Sequence, residues 1–275
     1  MSLAEMLARG PVVLDGGLAT ELERRGHDLS DRLWSARVLR DSPADVEAVH
    51  RAFFEAGADV AISASYQATF EALGDAAAPL MRLSVELARR ARDDVRPDGL
   101  VAASVGPYAV VLADRSEYTG DYRGASEQRI AAFQRPRVEA LLGAEPDLLA
   151  FETVPSIVEV RALAELVPGD VEAWLTFCCR DGERLSDGTP VEEAVRAAGD
   201  RWTALGVNCT EPRYIDSLLE HMRACTELPL IVYPNGVEPI GPAAVAGWHE
   251  RGATGIGGCC RVEPDTIASI AATLR

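Results

Sequence analysis

Leu100-Val101-Ala102-Ala103-Ser104-Val105 is a run of six residues, five of them apolar, that stops at Gly106-Pro107. A strand with one wet face alternates apolar and polar residues, so a run this continuous reads as a parallel strand buried on both faces. Seven more runs resemble it: Val12-Val13-Leu14, Val60-Ala61-Ile62-Ser63, Leu148-Leu149-Ala150-Phe151, Ala173-Trp174-Leu175-Thr176-Phe177, Thr203-Ala204-Leu205-Gly206-Val207, Leu230-Ile231-Val232-Tyr233 and Thr254-Gly255-Ile256-Gly257. Helical spacing fills the gaps, as in Val46, Val49, Phe53 and Phe54, introduced by an N-cap and proline at Ser42-Pro43, and in Leu80, Leu83, Val85, Leu87 and Ala88. Eight strands alternating with helices predict the α/β class and a single TIM-type (β/α)8 barrel over residues 1–275, with no linker to divide it.

Composition narrows the partners. Acidic residues outnumber basic ones 43 to 27, and the resulting charge of -16 argues against nucleic acid or an anionic membrane surface and for small molecules. All 27 basic residues are arginine, which excludes Schiff-base chemistry and lysine-bound pyridoxal phosphate. The start, Met1 to Arg9, is short and amphipathic rather than secretory, and no apolar run approaches the ~18 residues of a membrane span, so the expected location is cytoplasmic. Nothing in the pattern identifies a protein partner. Six cysteines in such a chain suggest metal or catalytic use before disulfides.

The polar and special residues gather where the apolar runs end. Asp15-Gly16-Gly17 follows the first run, Ser65-Tyr66-Gln67 the second, Glu152-Thr153 the fourth, Cys209 the sixth, Tyr233-Pro234-Asn235 the seventh and Cys259-Cys260 the eighth. In a barrel these carboxyl ends form one rim, the place where such folds keep their active sites. Three thiols delivered to one point by two strand ends can hold a zinc ion and leave its fourth position free. Cys209, Cys259 and Cys260 have that potential, although Cys259-Cys260 alone also reads as packing after a glycine turn or as a metal-free redox pair. Cys225, in the stretch Tyr214 to Cys225, reads as a buried helical thiol, and Cys178-Cys179 as one thiol facing inward and one facing the helices.

Asp15 can receive a substrate ammonium group where Gly16 and Gly17 let the backbone approach closely, or it can cap the helix beginning near Leu18. Glu152 is either a second carboxylate at the same rim or an arginine's ion-pair partner. Trp34, in the loop after the first helical stretch, can offer an aromatic wall to a cation or simply pack. His27, His50, His221 and His249 fall away from the strand ends and read as surface or capping residues.

Taken together, Asp15-Gly16-Gly17-Leu18-Ala19-Thr20-Glu21-Leu22, Ser63-Ala64-Ser65-Tyr66-Gln67-Ala68, Phe151-Glu152-Thr153, Gly206-Val207-Asn208-Cys209, Val232-Tyr233-Pro234-Asn235 and Gly257-Gly258-Cys259-Cys260-Arg261 resemble the homocysteine S-methyltransferases, particularly those using S-methylmethionine. The likeness runs from about residue 11 to residue 270. It implies Zn2+ on Cys209, Cys259 and Cys260, the homocysteine amino group on Asp15 and Glu152, Trp34 near the methyl donor, and Ser65 and Asn235 among the substrate residues. S-methylmethionine is the first donor implied and S-adenosylmethionine the second; a barrel that binds zinc or homocysteine without turnover is the alternative. One departure stands out: Gly236 to Ile256 is short for the family and leaves room for one helix around Ala243 to Arg251.

Overall fold

The structure, a computed structural model, describes residues 1–29 and 35–275. Among these residues eight strands follow in order: β1 (Val12–Val13), β2 (Val60–Ile62), β3 (Leu100–Val105), β4 (Leu148–Val154), β5 (Ala173–Phe177), β6 (Ala204–Asn208), β7 (Leu230–Tyr233) and β8 (Ala253–Ile256). Every pairing is parallel, and the sheet runs β1-β8-β7-β6-β5-β4-β3-β2. A parallel bridge between Leu14 and Val60 joins its two edges, with Asp59 N donating to Val13 O at 2.7 Å and Asp15 N to Val60 O at 3.1 Å. The (β/α)8 barrel expected from the apolar runs is the fold.

Alternation along each strand decides what faces the barrel axis. Leu100 and Ala102 of β3, Leu148 and Ala150 of β4, Trp174 of β5, Ala204 of β6 and Ile231 of β7 pack together inside. Their neighbours Val101, Leu149, Leu175, Leu205 and Val232 pack outward among the helices. Carried on toward the carboxyl ends, the inward register reaches Ser104, Glu152, Thr176, Asn208 and Tyr233. This polar layer lies at the carboxyl end of an otherwise apolar interior.

The opposite end of the barrel is closed. The helix Leu3–Arg9, started by a Ser2–Glu5 capping box, inserts Leu3 and Leu7 into the interior cluster. Glu172, just before β5, accepts from the Leu3 and Ala4 backbone amides at 2.7 and 3.0 Å. Outside the sheet, the helices Pro43–Glu55 and Ala77–Val95 bury the predicted apolar stripes, each large side chain contributing roughly 1.5–3 kcal/mol of transfer free energy. The shortened segment before β8 folds as the single helix Pro242–Glu250.

Three sequence readings change. His50 is not at the surface: it is wholly buried in the helix Pro43–Glu55, with both ring nitrogens unpartnered. Cys225 lies beyond the end of the helix Ile215–Arg223, partly exposed, with the Arg196 guanidinium 3.3 Å from its sulfur. Glu152 does not follow β4 but lies within it, because the strand continues to Val154. Trp34 falls outside the described residues, and among those described no helix is long and apolar enough to cross a membrane.

Candidate metal centre and substrate pocket

Cys209 follows β6 directly, and Cys259-Cys260 follow β8 after two glycines. The Cys209 sulfur is 2.9 Å from that of Cys259 and 3.8 Å from that of Cys260, and all three sulfurs lie within 4.8 Å of one another. The glycines make this convergence feasible. A Cβ on Gly258 would come 2.1 Å from Val262, one on Gly257 would lie 2.8 Å from the Asp15 carbonyl oxygen, and one on Gly17 would meet the Cys259 carbonyl at 2.6 Å. Gly258 N donates to Asp15 O at 3.0 Å and Cys259 N to Pro234 O at 2.8 Å, so the first, seventh and eighth strand ends are stitched together around the sulfurs.

The donor set fits a soft metal ion. Two sulfurs each ~2.3 Å from a tetrahedral centre stand about 3.8 Å apart, which is the Cys209–Cys260 separation. The Cys209–Cys259 pair is tighter and must spread by about 0.9 Å to reach that spacing. Without an ion the thiols share protons: hydrogen bonds from Cys209 and Cys259 hold Cys260 below the ordinary thiol range, while the same sharing and burial hold Cys209 well above it. One sulfur therefore ionises readily, and a cation is needed before all three can. All six cysteines are free thiols.

Beside the sulfurs lie two buried carboxylates. Asp15 does not cap the following helix, whose N-cap is Gly17 without a side-chain bond. Its Oδ2 accepts from Ile62 N at 2.8 Å, and its buried Oδ1 has no partner among the described residues. Burial raises Asp15 well above the carboxylate range, against the Ile62 hydrogen bond and with further upward pressure from Glu152. Among the described residues Glu152 has no arginine partner either. Ser104 donates to it and the Tyr233 hydroxyl faces it, yet burial pushes it up to about 7, with the Cys260 sulfur adding to the shift. An orphaned carboxylate oxygen next to a second desolvated carboxylate is a receptor for a cationic group.

Comparison with known proteins supplies the lineage. The profile of the homocysteine S-methyltransferase family matches residues 12–274. Homocysteine S-methyltransferase YbgG of Bacillus subtilis is 43% identical, covering 96% of this chain and 94% of its own length. Homocysteine S-methyltransferase of Escherichia coli is 45% identical over 95% of this chain and 94% of its own. The solved structure of the Escherichia coli homocysteine methyltransferase MmuM in its metallated form superposes with a TM-score of 0.91 at 45% identity, covering 98% of each chain. The chain belongs to the homocysteine S-methyltransferase family. It is, with that family, a methyltransferase.

In this homocysteine S-methyltransferase family member the remaining candidates divide. Asp15, Gly16, Gly17, Glu152, Cys209, Cys259 and Cys260 all line one cavity of about 130 Å3. Ser65 stands behind it, its hydroxyl donating to Ser104 O at 2.7 Å and meeting Ser63 at 2.9 Å. Asn235 is not among the residues lining the cavity; it donates from Nδ2 to the Cys209 carbonyl at 2.9 Å, supporting a candidate ligand, while its buried Oδ1 has no partner among the described residues. Cys178 directs its thiol at the same carbonyl at 3.7 Å, while Cys179 packs toward the helices, the split expected for that pair.

Asn208, Thr176 and Tyr233 were given no role in the sequence reading. Asn208 binds Thr153 twice, accepting from its amide at 2.7 Å and donating to its hydroxyl at 2.8 Å. That pair holds Thr153 at a φ of 61°, a left-handed conformation costly for a β-branched residue, where the β4–β5 register shifts. Thr176 bridges Asn208 and the Tyr233 hydroxyl at 2.9 and 2.8 Å, and Trp174 donates to Tyr233 at 3.2 Å. The signal was present as the alternation of each strand carried past its apolar stretch. Tyr66, Glu117 and Tyr118 also line the cavity; the last two come from a connection with no motif to mark it.

Proposed function

We propose that this chain transfers a methyl group from a sulfonium donor, S-methylmethionine in first place and S-adenosylmethionine in second, to the thiol of homocysteine, using zinc held by Cys209, Cys259 and Cys260. One observation carries the reading: three convergent sulfurs share a cavity with two buried carboxylates, Asp15 and Glu152. When bound, zinc would supply the acidity that ionises the acceptor thiol near neutral pH.

The chain's own residues do the rest. Asp15 and Glu152 grip the homocysteine ammonium, which fixes the acceptor's orientation relative to the sulfurs. The Ser104 and Tyr233 hydroxyls hold the Glu152 carboxylate toward the cavity. An electron pair of the acceptor sulfur forms the new S–CH3 bond while the donor's C–S bond breaks, and that bonding pair leaves with a neutral thioether. No acid is needed at the leaving group. Opposite charges cancel as the reaction proceeds, so a largely apolar pocket favours it over water.

The test is methionine formation by protein stripped of metal with a chelator and by the same protein restored with zinc, with each donor in turn. Zinc should restore turnover, and S-methylmethionine should exceed S-adenosylmethionine. Absence of transfer from either donor after restoration would leave a binding protein. A metal-free protein whose Cys259-Cys260 pair oxidises and reduces reversibly would move the chain to redox chemistry.

A further inference from the structure

The connection after β3 forms a tight coil. Ala113, Arg115, Gly120, Arg123 and Gly124 all adopt left-handed φ values, 52°, 65°, 67°, 51° and 75°, and Ser116–Tyr118 forms a single 3-10 turn between them. The coil is fastened to the loop after β5. Ser186 donates to the Glu117 carbonyl at 3.0 Å, and Gly120 sits so close to Asp187 that an added Cβ would come within 2.4 Å of it. Asp187 is itself fixed, its amide donating to Pro155 O at 3.0 Å and its Oδ2 accepting from Ile157 N at 2.9 Å. An Arg123–Asp114 ion pair ties the coil at its base.

Two side chains of this fastened coil enter the cavity that contains the three sulfurs: Glu117 and Tyr118. Tyr118 keeps 45% of its surface exposed. None of the ring contacts found among the described residues involves it. An aromatic face half bare at the mouth of the cavity that holds the three sulfurs is placed to take a cation.

Charge counting points to the same conclusion. Three carboxylates line the cavity, Asp15, Glu152 and Glu117. The acceptor brings one ammonium group, which Asp15 and Glu152 can satisfy. A sulfonium amino acid brings a second ammonium and a sulfonium; Glu117 is the carboxylate left for the ammonium, and Tyr118 is the exposed aromatic ring beside it.

We propose that Tyr118 and Glu117 form the donor subsite, the Tyr118 ring lying against the sulfonium and the Glu117 carboxylate pairing with the donor's ammonium. This assignment rests on the methyl-transfer reading above and adds to it the residues that select a cationic amino-acid donor. The test uses the zinc-loaded chain and its Tyr118→Leu, Tyr118→Phe and Glu117→Gln variants, with KM measured for each substrate, S-methylmethionine binding measured by calorimetry, and zinc content as the control for folding. Tyr118→Leu should raise the S-methylmethionine KM about tenfold and weaken its binding in parallel, with homocysteine KM and zinc unchanged. Tyr118→Phe, which keeps the ring, should stay within about twofold, and Glu117→Gln should raise donor KM about fivefold.

Wild-type donor KM in both Tyr118→Leu and Glu117→Gln would overturn the subsite while leaving the function intact. Equal losses for donor and homocysteine would also overturn it, by showing a structural role. If Tyr118→Leu loses zinc, the Glu117→Gln donor KM decides. A wild-type protein that moves no methyl from any sulfonium donor would instead remove the underlying functional reading.

Discussion

Cys209 adopts a φ of 50°, an uncommon conformation outside glycine, and Asn235 clamps the carbonyl of that residue at 2.9 Å. The asparagine therefore positions a sulfur without touching it. Asn235→Ala should weaken zinc binding about tenfold or more, read by competition with a chromogenic chelator, while the fold persists by circular dichroism. Unchanged zinc affinity would mean the clamp is idle. Glu152 makes a second prediction. Its carboxyl is pushed up to about 7, chiefly by burial, which a bound metal leaves in place. Below that pH the site is neutral and gains less from an ammonium, so homocysteine KM should rise as pH falls from 8 to 6, by up to about tenfold. Glu152→Gln should raise KM at pH 8 and flatten this profile; a variant with the wild-type profile would assign the titration elsewhere. The stability sign is separate. A carboxyl raised in the folded state binds protons the unfolded chain has released, so Glu152 costs the metal-free protein stability as pH climbs from about 4.5 to 7.

At the level of elements, the eight apolar runs were legible because parallel strands buried on both faces leave an uninterrupted signature, and the observed strands agree with them to within a residue or two except at β4. β4 runs on because Glu152 and Thr153 sit at an irregularity stabilised by Asn208 on the neighbouring strand, and such long-range bonds have no local pattern. The sulfur trio was readable because glycines and strand ends announce themselves. The Tyr118 coil was not, since its shape depends on contacts with Asp187 far along the chain. His50 was misplaced for a similar reason: its helical position is apparent, but which helix face meets a neighbour is a tertiary fact. Burial lowers its ionisation to about 4 from 6.5. The unfolded chain therefore takes up a proton before the folded one, and stability is lost as pH falls below 6.5 toward 4. From pH 7.5 to pH 5 this should amount to about 2 kcal/mol, and His50→Leu should remove that share from urea midpoints measured at the two pH values. An equal acid sensitivity in the variant would show that other groups dominate.

The whole molecule combines a closed amino end, an apolar interior and one polar rim, so chemistry has a single entrance among the described residues of the barrel. Its net charge of -16 and the acidic cavity create a field that draws cations and is indifferent to a zwitterion. S-methylmethionine carries a net positive charge and homocysteine none. Raising ionic strength from about 0.01 to 0.15 M, which shortens the screening length from about 30 to 8 Å, should lower kcat/KM for the donor severalfold and leave that for homocysteine nearly unchanged. Equal salt effects on both would show that this field does not guide the donor. The central claim concerns the sulfurs, and X-ray absorption at the zinc edge reads them most directly. The zinc-loaded protein should show three sulfurs at ~2.3 Å and one lighter atom, changing to four sulfurs when homocysteine is added. A sulfur count other than three at rest, or one that homocysteine leaves unaltered, would contradict a centre built from Cys209, Cys259 and Cys260 for the acceptor thiol.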